Sequence, residues 1–210
     1  METLKDRKKG ATIELVIATR NPGKLREIEA ILAHLPLKLL SLKNFPDIPD
    51  IVEDGTTFAA NAGKKASAIA CLTRRLAIAD DSGLTVEALK GRPGIFSARF
   101  AGNEATDQER YQKLLDEMLG IPDGQRQAAF VCAIAISSPC GETQVVEREI
   151  RGWITFAPQG EYGFGYDPIF FVPEFGKTMA ELEPEVKDRI SHRARALEKI
   201  KLILSKFFPP

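Results

Sequence analysis

Residues 76–84, Leu-Ala-Ile-Ala-Asp-Asp-Ser-Gly-Leu, decide how the rest of the chain is read. The apolar run from Leu76 to Ala79 predicts a short central strand that delivers two adjacent carboxylates, Asp80 and Asp81, at its end. Like charges that close repel and raise one pKa unless a cation or strong donors compensate. The pair therefore predicts a divalent metal, basic neighbours or a shared proton. Ser82 and Gly83 are expected to turn the chain and expose backbone N–H groups beside the acids, which supplies oxygen ligands for Mg²⁺ and donors for phosphate oxygens. In isolation Asp-Asp-Ser-Gly is more often an Asx turn closing a buried strand, so the surroundings carry the weight.

Upstream, residues 13–18 form an apolar strand, and Asn21-Pro22 supplies an N-cap followed by proline at the first helical position. Leu25, Ile28, Leu32 and Leu35 recur at helical spacing until Pro36, and residues 37–42 predict a second strand. A Pro- and acid-rich loop over 44–57 precedes a small-residue helix over 58–71. Downstream, Thr106-Asp-Gln-Glu109 is a capping box opening a helix that carries Tyr111, Leu114, Leu115 and Met118 and ends at Gly120 and Pro122. Residues 127–137 and 143–151 flank a turn sequence and predict an antiparallel pair. Residues 168–172 predict another strand, and 192–208 a terminal helix with Leu197, Ile200, Leu204 and Phe208 on one side. Early elements suit parallel pairing and later ones hairpins. The fold class is therefore α/β: a mixed, elongated central sheet flanked by helices, in two lobes with a cleft between them.

The 210 residues suffice for one full core. We expect a single domain over 12–210 and a flexible, charged extension over 1–11 that lacks a signal-peptide core. Lys plus Arg and Asp plus Glu both number 29, so no global basic field points to nucleic acid. The longest apolar run, residues 128–136, is about half of the roughly 20 needed to cross a bilayer, so no membrane association is expected. Cys71, Cys132 and Cys140 form no Cys-x-x-Cys pair, which fits a reducing, cytoplasmic setting.

Thr19-Arg20-Asn21-Pro22-Gly23-Lys24 lies where a strand meets a helix, a place that favours anions, although the spacing is not that of a P-loop. Taken alone it is equally an Asn-Pro cap with a solvated lysine. Glu53 and Asp54 are candidates to complete a metal site with Asp81, and Lys65 to face phosphates. Gly163-Phe164-Gly165-Tyr166-Asp167-Pro168 sets two rings and a carboxylate on a glycine-flexible loop: the rings suit stacking on a base and the Asp suits its N–H groups. Ser191-His192-Arg193 caps the last helix and offers donors to a purine carbonyl or ribose; the plainer reading is a serine cap with two solvated bases. His34 and His192 are too few for a multi-His zinc site, and no Gly-x-Ser-x-Gly elbow supports acyl transfer.

In this order the segments resemble the inosine triphosphate pyrophosphatase family over nearly the whole chain. The resemblance rests on the 19–24 segment, Asn61-Ala-Gly-Lys-Lys-Ala66, Ala79-Asp-Asp-Ser-Gly-Leu84, Gly91-Arg-Pro-Gly-Ile-Phe-Ser-Ala-Arg99, Gly163-Phe-Gly-Tyr-Asp-Pro168, Lys177-Thr-Met-Ala-Glu-Leu182 and Ser191-His-Arg193. It implies Mg²⁺-dependent hydrolysis of inosine, deoxyinosine and xanthosine triphosphates to the monophosphate and pyrophosphate, by a homodimer that cleans the nucleotide pool. Carried over, Asp81 is the catalytic base and a metal ligand, Glu53 is the second metal ligand, and Ser82 contacts substrate. Thr19, Arg20, Asn21, Pro22, Gly23 and Lys24 hold the triphosphate. Phe164, Gly165, Tyr166, Asp167, Lys177, His192 and Arg193 bind base and sugar. The family's usual Glu-Asn-Ala on the second helix is Ala60-Asn61-Ala62 here; if that carboxylate supports metal or water, its loss implies either weak turnover or transfer of the role to Asp54 or Asp80. The rival readings are a pyrophosphatase for modified pyrimidine triphosphates and a catalytically silent nucleotide-binding protein.

Overall fold

The computed structural model describes residues 13–139 and 141–207; the expected extension over 1–11, Cys140 and Phe208 lie outside them. Strand β1 (Ile13–Ile17), apolar but for Glu14 and almost wholly buried, feeds helix α1 (Pro22–Leu32) through the expected cap, in which the Lys24 N–H donates to Asn21 Oδ1 at 3.0 Å. Strand β2 (Leu37–Ser41) lies parallel to β1. Helix α2 (Phe58–Thr73) is capped by Thr57, whose hydroxyl accepts from the Ala60 N–H at 3.1 Å. Strand β3 (Leu76–Val86) follows, then helix α3 (Asp107–Glu117), opened by the predicted Thr106–Glu109 capping box. Strands β4 (Gln127–Ser137) and β5 (Thr143–Ile154) form the expected antiparallel pair. Short strands β6 (Phe170–Val172) and β7 (Lys177–Thr178) precede helices α4 (Pro184–Ile190) and α5 (His192–Leu204). The seven strands make one mixed sheet in the order β2-β1-β3-β4-β5-β6-β7, parallel on the β1 side and antiparallel from β3 onward.

One expectation is corrected. The chain does not turn at Ser82-Gly83; β3 continues to Val86, paired without interruption against β4 from Ala77↔Ser137 to Val86↔Ala128. Ladder hydrogen bonds on that strand outweigh the turn preference of Asp, Ser and Gly. Gly83 serves close approach instead of a bend, since a Cβ there would lie 2.4 Å from Ser97 Oγ and 2.6 Å from the Gly94 carbonyl.

The correction governs the site, because successive side chains on a strand point to opposite faces. Ile78, Asp80 and Ser82 share one face, where Leu76, Ile78, Cys132, Ile134 and Ile136 pack with α1 and α5. Ala77, Ala79 and Asp81 share the other, where Ala62, Ala66 and Ala70 of α2 meet Ala133 and Ala135. Small residues on both surfaces let α2 lie close to the sheet, which brings Asn61 to Asp81. Among the described residues no helix is long and apolar enough to cross a membrane.

Candidate active site

On the α2 face, Asn61 Nδ2 donates to Asp81 Oδ2 at 3.0 Å while its Oδ1 accepts from the Gly55 N–H at 2.7 Å. One buried amide thus holds both the carboxylate and the acidic loop. That loop presents Glu53, which pairs with Lys65 Nζ at 2.9 Å. Burial raises the Asp81 pKa and the Glu53 charge adds to it, against the opposing pull of Lys24, Asn61 and Lys65. A buried carboxylate that resists ionising, beside a second carboxylate, is a donor set that a hard divalent cation fits. Among the described residues no group of three or more His, Cys, Asp or Glu is placed to hold a metal, so a cation here would draw its other ligands from water and phosphate oxygens.

On the opposite face Asp80 is fully buried and fully engaged. It accepts from Arg193 Nε at 2.8 Å, Ser82 Oγ at 2.8 Å and Cys132 Sγ at 3.0 Å, and Lys24 Nζ lies 2.5 Å away. Burial alone would raise its pKa, but the charges of Arg193 and Lys24 and these hydrogen bonds hold it well below the usual carboxylate range. The adjacent aspartates therefore share neither a proton nor a ligand: period-two geometry sends them to separate tasks. Arg193 also pairs with Glu27, Glu27 with Lys187 at 2.7 Å, and Lys187 with Asp167 at 2.5 Å. The result is a ladder of alternating charge, Lys24–Asp80–Arg193–Glu27–Lys187–Asp167, running behind the site.

The far end is built on the glycine loop. Gly163 has φ +81° and Gly165 φ +65°, which lets the chain fold back so that the Phe164 N–H donates to Asp167 Oδ2 at 2.8 Å. The Gly165 N–H donates to Asp107 Oδ2 at 2.7 Å, and Tyr166 OH to the Ser97 carbonyl at 2.9 Å. Burial and the Glu27 charge raise the Asp167 pKa in spite of Lys187. The Phe164 ring carries the Lys187 ammonium 4.7 Å from its centroid and the Arg193 guanidinium 5.7 Å from it. Gly23 lies against the same ring, and a Cβ there would come within 2.6 Å of it. His192 is stacked on Phe130 at 4.9 Å, and burial together with the Arg193 charge pushes its pKa well down.

These ends face one cavity of about 480 Å³. Thr19, Arg20, Asn21, Lys24, Glu53, Lys65, Asp81 and Ser82 line one part of it, and Phe164, Gly165, Tyr166, Asp167, His192 and Arg193 the other. Three expected contacts fall outside its lining. Pro22 and Gly23 shape the helix start without lining the cavity, and Lys177 is exposed on strand β7. At that end of the cavity the lysine in the lining is Lys187, on α4, whose only trace in the sequence is its place one helical turn before Ser191. His192 and Arg193 are not solvated bases but buried, 5% and 1% exposed, behind the expected Ser191 cap. Sequence reasoning also missed Asp107 and Arg110, which line the cavity and pair with each other at 2.6 Å. Neither substitute for the carboxylate absent at Ala60 reaches the cavity beside Asp81: Asp54 is exposed and paired with Lys64, and Asp80 faces away.

The Ham1 family profile matches residues 15–203. The chain is 54% identical over 187 residues to the dITP/XTP pyrophosphatase of Geobacillus kaustophilus, covering 89% of this chain and 92% of that protein. It is 48% identical over 191 residues to the dITP/XTP pyrophosphatase of Bacillus subtilis, covering 91% and 96%. Among solved structures, a HAM1 protein from Coxiella burnetii superposes with a TM-score of 0.84 at 43% identity, covering 93% of this chain and all of that one. The Staphylococcus aureus Ham1 protein gives 0.82 at 42% identity, covering 92% and 98%. Fold and sequence agree along nearly the whole length, and the chain belongs to the Ham1 family.

Proposed function

We propose that this protein hydrolyses the non-standard purine triphosphates ITP, dITP and XTP to the monophosphate and pyrophosphate, with Asp81 at the reaction centre. The observation that carries this reading is the single cavity that places Asp81, Glu53, Lys24 and Lys65 at one end and Phe164, Asp167, Lys187 and His192 at the other. A triphosphate at the first end meets Lys24, Lys65 and the start of α1, which offset its charge. Asp81, its pKa raised by burial, accepts a proton from the attacking water and orients it for in-line displacement at the α-phosphorus. Asp81 and Glu53 would hold Mg²⁺, which supplies Lewis-acid stabilisation of the phosphate charge. Phe164 offers a stacking face, and Lys187 and His192 offer donors to a 6-keto group. An adenine amino group facing such donors leaves them unpaired, at a cost of about 1–3 kcal/mol. We further propose that residues 12–210 act as one two-lobed domain, as a homodimer in the cytoplasm, with no nucleic-acid or membrane partner.

The test is pyrophosphate release from inosine, xanthosine, guanosine, adenosine and thymidine triphosphates with excess Mg²⁺, beside Asp81→Asn. Rapid release from the first two, abolished in the variant, is the expected result. Tight binding of ITP with no release from any of the five would sink the proposal in favour of a silent nucleotide-binding protein.

A further inference from the structure

Hypoxanthine, xanthine and guanine all carry a keto group at position 6, so donors aimed there, Lys187 and His192, separate none of the three. They differ at position 2, which bears hydrogen, a keto oxygen and an amino group respectively. Arg110, on α3, has the means to read that difference. It lines the cavity with its side chain 19% exposed, and its Nη1 donates to Asp107 Oδ1 at 2.6 Å. The other oxygen of Asp107 accepts from the Gly165 N–H at 2.7 Å, which ties the guanidinium beside the residue that follows Phe164. Among the described residues, Lys187 and Arg193 are the cations at the Phe164 ring itself. The Nε–H of Arg110 is buried and meets no acceptor among the described residues. A buried donor without an acceptor is costly, so this one suits an acceptor brought by the ligand. Neighbouring polar groups are already engaged: Tyr166 OH donates to the Ser97 carbonyl, and the Arg99 guanidinium lies 4.9 Å from the Phe96 ring centroid.

We propose that Arg110 is a specificity-determining residue that reads position 2 of the purine, donating to the 2-keto oxygen of xanthine and turning away the 2-amino group of guanine. The inference rests on the reading of this end of the cavity as the base pocket, and it adds a base contact on α3 to those on α4 and α5. A xanthine nucleotide gives up a ring proton near neutral pH, which gathers negative charge on N3 and O2. A guanidinium meets that edge with charge-assisted hydrogen bonds. Hypoxanthine presents only C–H at position 2 and leaves the Nε–H as it was. Guanine presents N–H against N–H: two donors lose water and gain no acceptor, a repulsive element that rejects a close analogue. The hold of Asp107 on Nη1 fixes the plane of the fork and leaves its other donors for the base.

The test compares wild type with Arg110→Met, which removes every donor while keeping an unbranched side chain. Affinities for xanthosine, inosine and guanosine monophosphates are read by calorimetry, kcat/KM for XTP and ITP by pyrophosphate release, and folding by melting temperature. The ratio of xanthosine to inosine monophosphate affinity is expected to fall about tenfold, the scale of one lost charge-assisted bond. The ratio of kcat/KM for XTP to that for ITP falls with it, and the ratio of guanosine to inosine monophosphate affinity rises. An unchanged xanthosine-to-inosine ratio would overturn the role. Equal losses for all three would overturn it too, because a sugar contact or a loosened Gly165 loop acts on every nucleotide alike. If Arg110→Met does not fold, Arg110→Gln takes its place: its amide carbonyl accepts from a 2-amino group, so a raised guanosine ratio supports the proposal and a wild-type ratio overturns it. Wild-type protein that releases no pyrophosphate defeats the activity reading instead, and the monophosphate ratios still decide the role of Arg110.

Discussion

Neutralising either of two neighbouring aspartates should have opposite consequences. Asp80 is fully buried with Lys24 at 2.5 Å and Arg193 at 2.8 Å. Asp80→Asn keeps the shape but strips the charge from between two cations. Arg193 retains Glu27, whereas Lys24, 15% exposed, has no other carboxylate partner among the described residues. Removing one member of a buried ion pair costs about 3–5 kcal/mol, against about 0–1 for a surface pair. For a chain of this size that lowers the melting temperature by about 6–20 °C. Asp81 differs, because burial already disfavours its ionised form, and the Asn61 amide that donates to it donates equally well to an asparagine carbonyl. Asp81→Asn should leave stability unchanged or raised while abolishing turnover. The assay is urea unfolding at pH 7 of wild type and both variants, run beside pyrophosphate release. Equal destabilisation by the two substitutions, or a neutral Asp80→Asn, would refute the division of the pair between the two sheet faces.

Three further expectations follow from the same geometry. Gly83→Ala drives a methyl into Ser97 and the Gly94 carbonyl; it should cost about 1–3 kcal/mol and reduce activity by displacing the 94–99 turn that lines the cavity, as read by melting and turnover together. Arg126, 2% exposed, donates to the carbonyls of Met118, Ile121, Ile154 and Thr155; Arg126→Met should cost about 3 kcal/mol by leaving them unpaired, with kcat per folded molecule retained. His192 is held neutral in the fold, so below about pH 6.5 the unfolded chain takes up a proton that the native state does not. Stability from this group is complete above that pH and falls by up to about 1.4 kcal/mol per unit beneath it. Urea midpoints between pH 7.5 and 5 should therefore decline more steeply for wild type than for His192→Phe.

Local signals revealed most of the fold. Asn21-Pro22 and Thr106-x-x-Glu109 mark helix starts through bonds made within four residues, and each does so in the structure. The path of β3 was not legible, because Ser82-Gly83 has turn chemistry and what keeps it extended is β4, about fifty residues away. Side-chain direction was hidden for the same reason: without knowing that the strand continues, nothing assigns Asp80 to Lys24 and Arg193 or Asp81 to Asn61. Lys177 stands in a motif that the sequence displays, whereas Lys187, which lines the cavity, stands in none. Only the packing of α4 against α1 and α5 shows which lysine reaches Glu27 and Asp167. Charge ladders assembled from helices distant in the chain leave no spacing to read.

The uninterrupted pairing of β3 with β4 also constrains how this chain can change length. Each residue from Ala77 to Val86 has a fixed partner, so deleting or inserting one residue before Asp80 would exchange the two carboxylates between faces. Asp80 would then stand in the cavity and Asp81, the proposed reaction centre, among Lys24 and Arg193, losing support and chemistry in a single step. Substitutions along this strand can be absorbed one at a time, but a change in its length cannot, and surviving variants should carry their insertions in the loops beyond it.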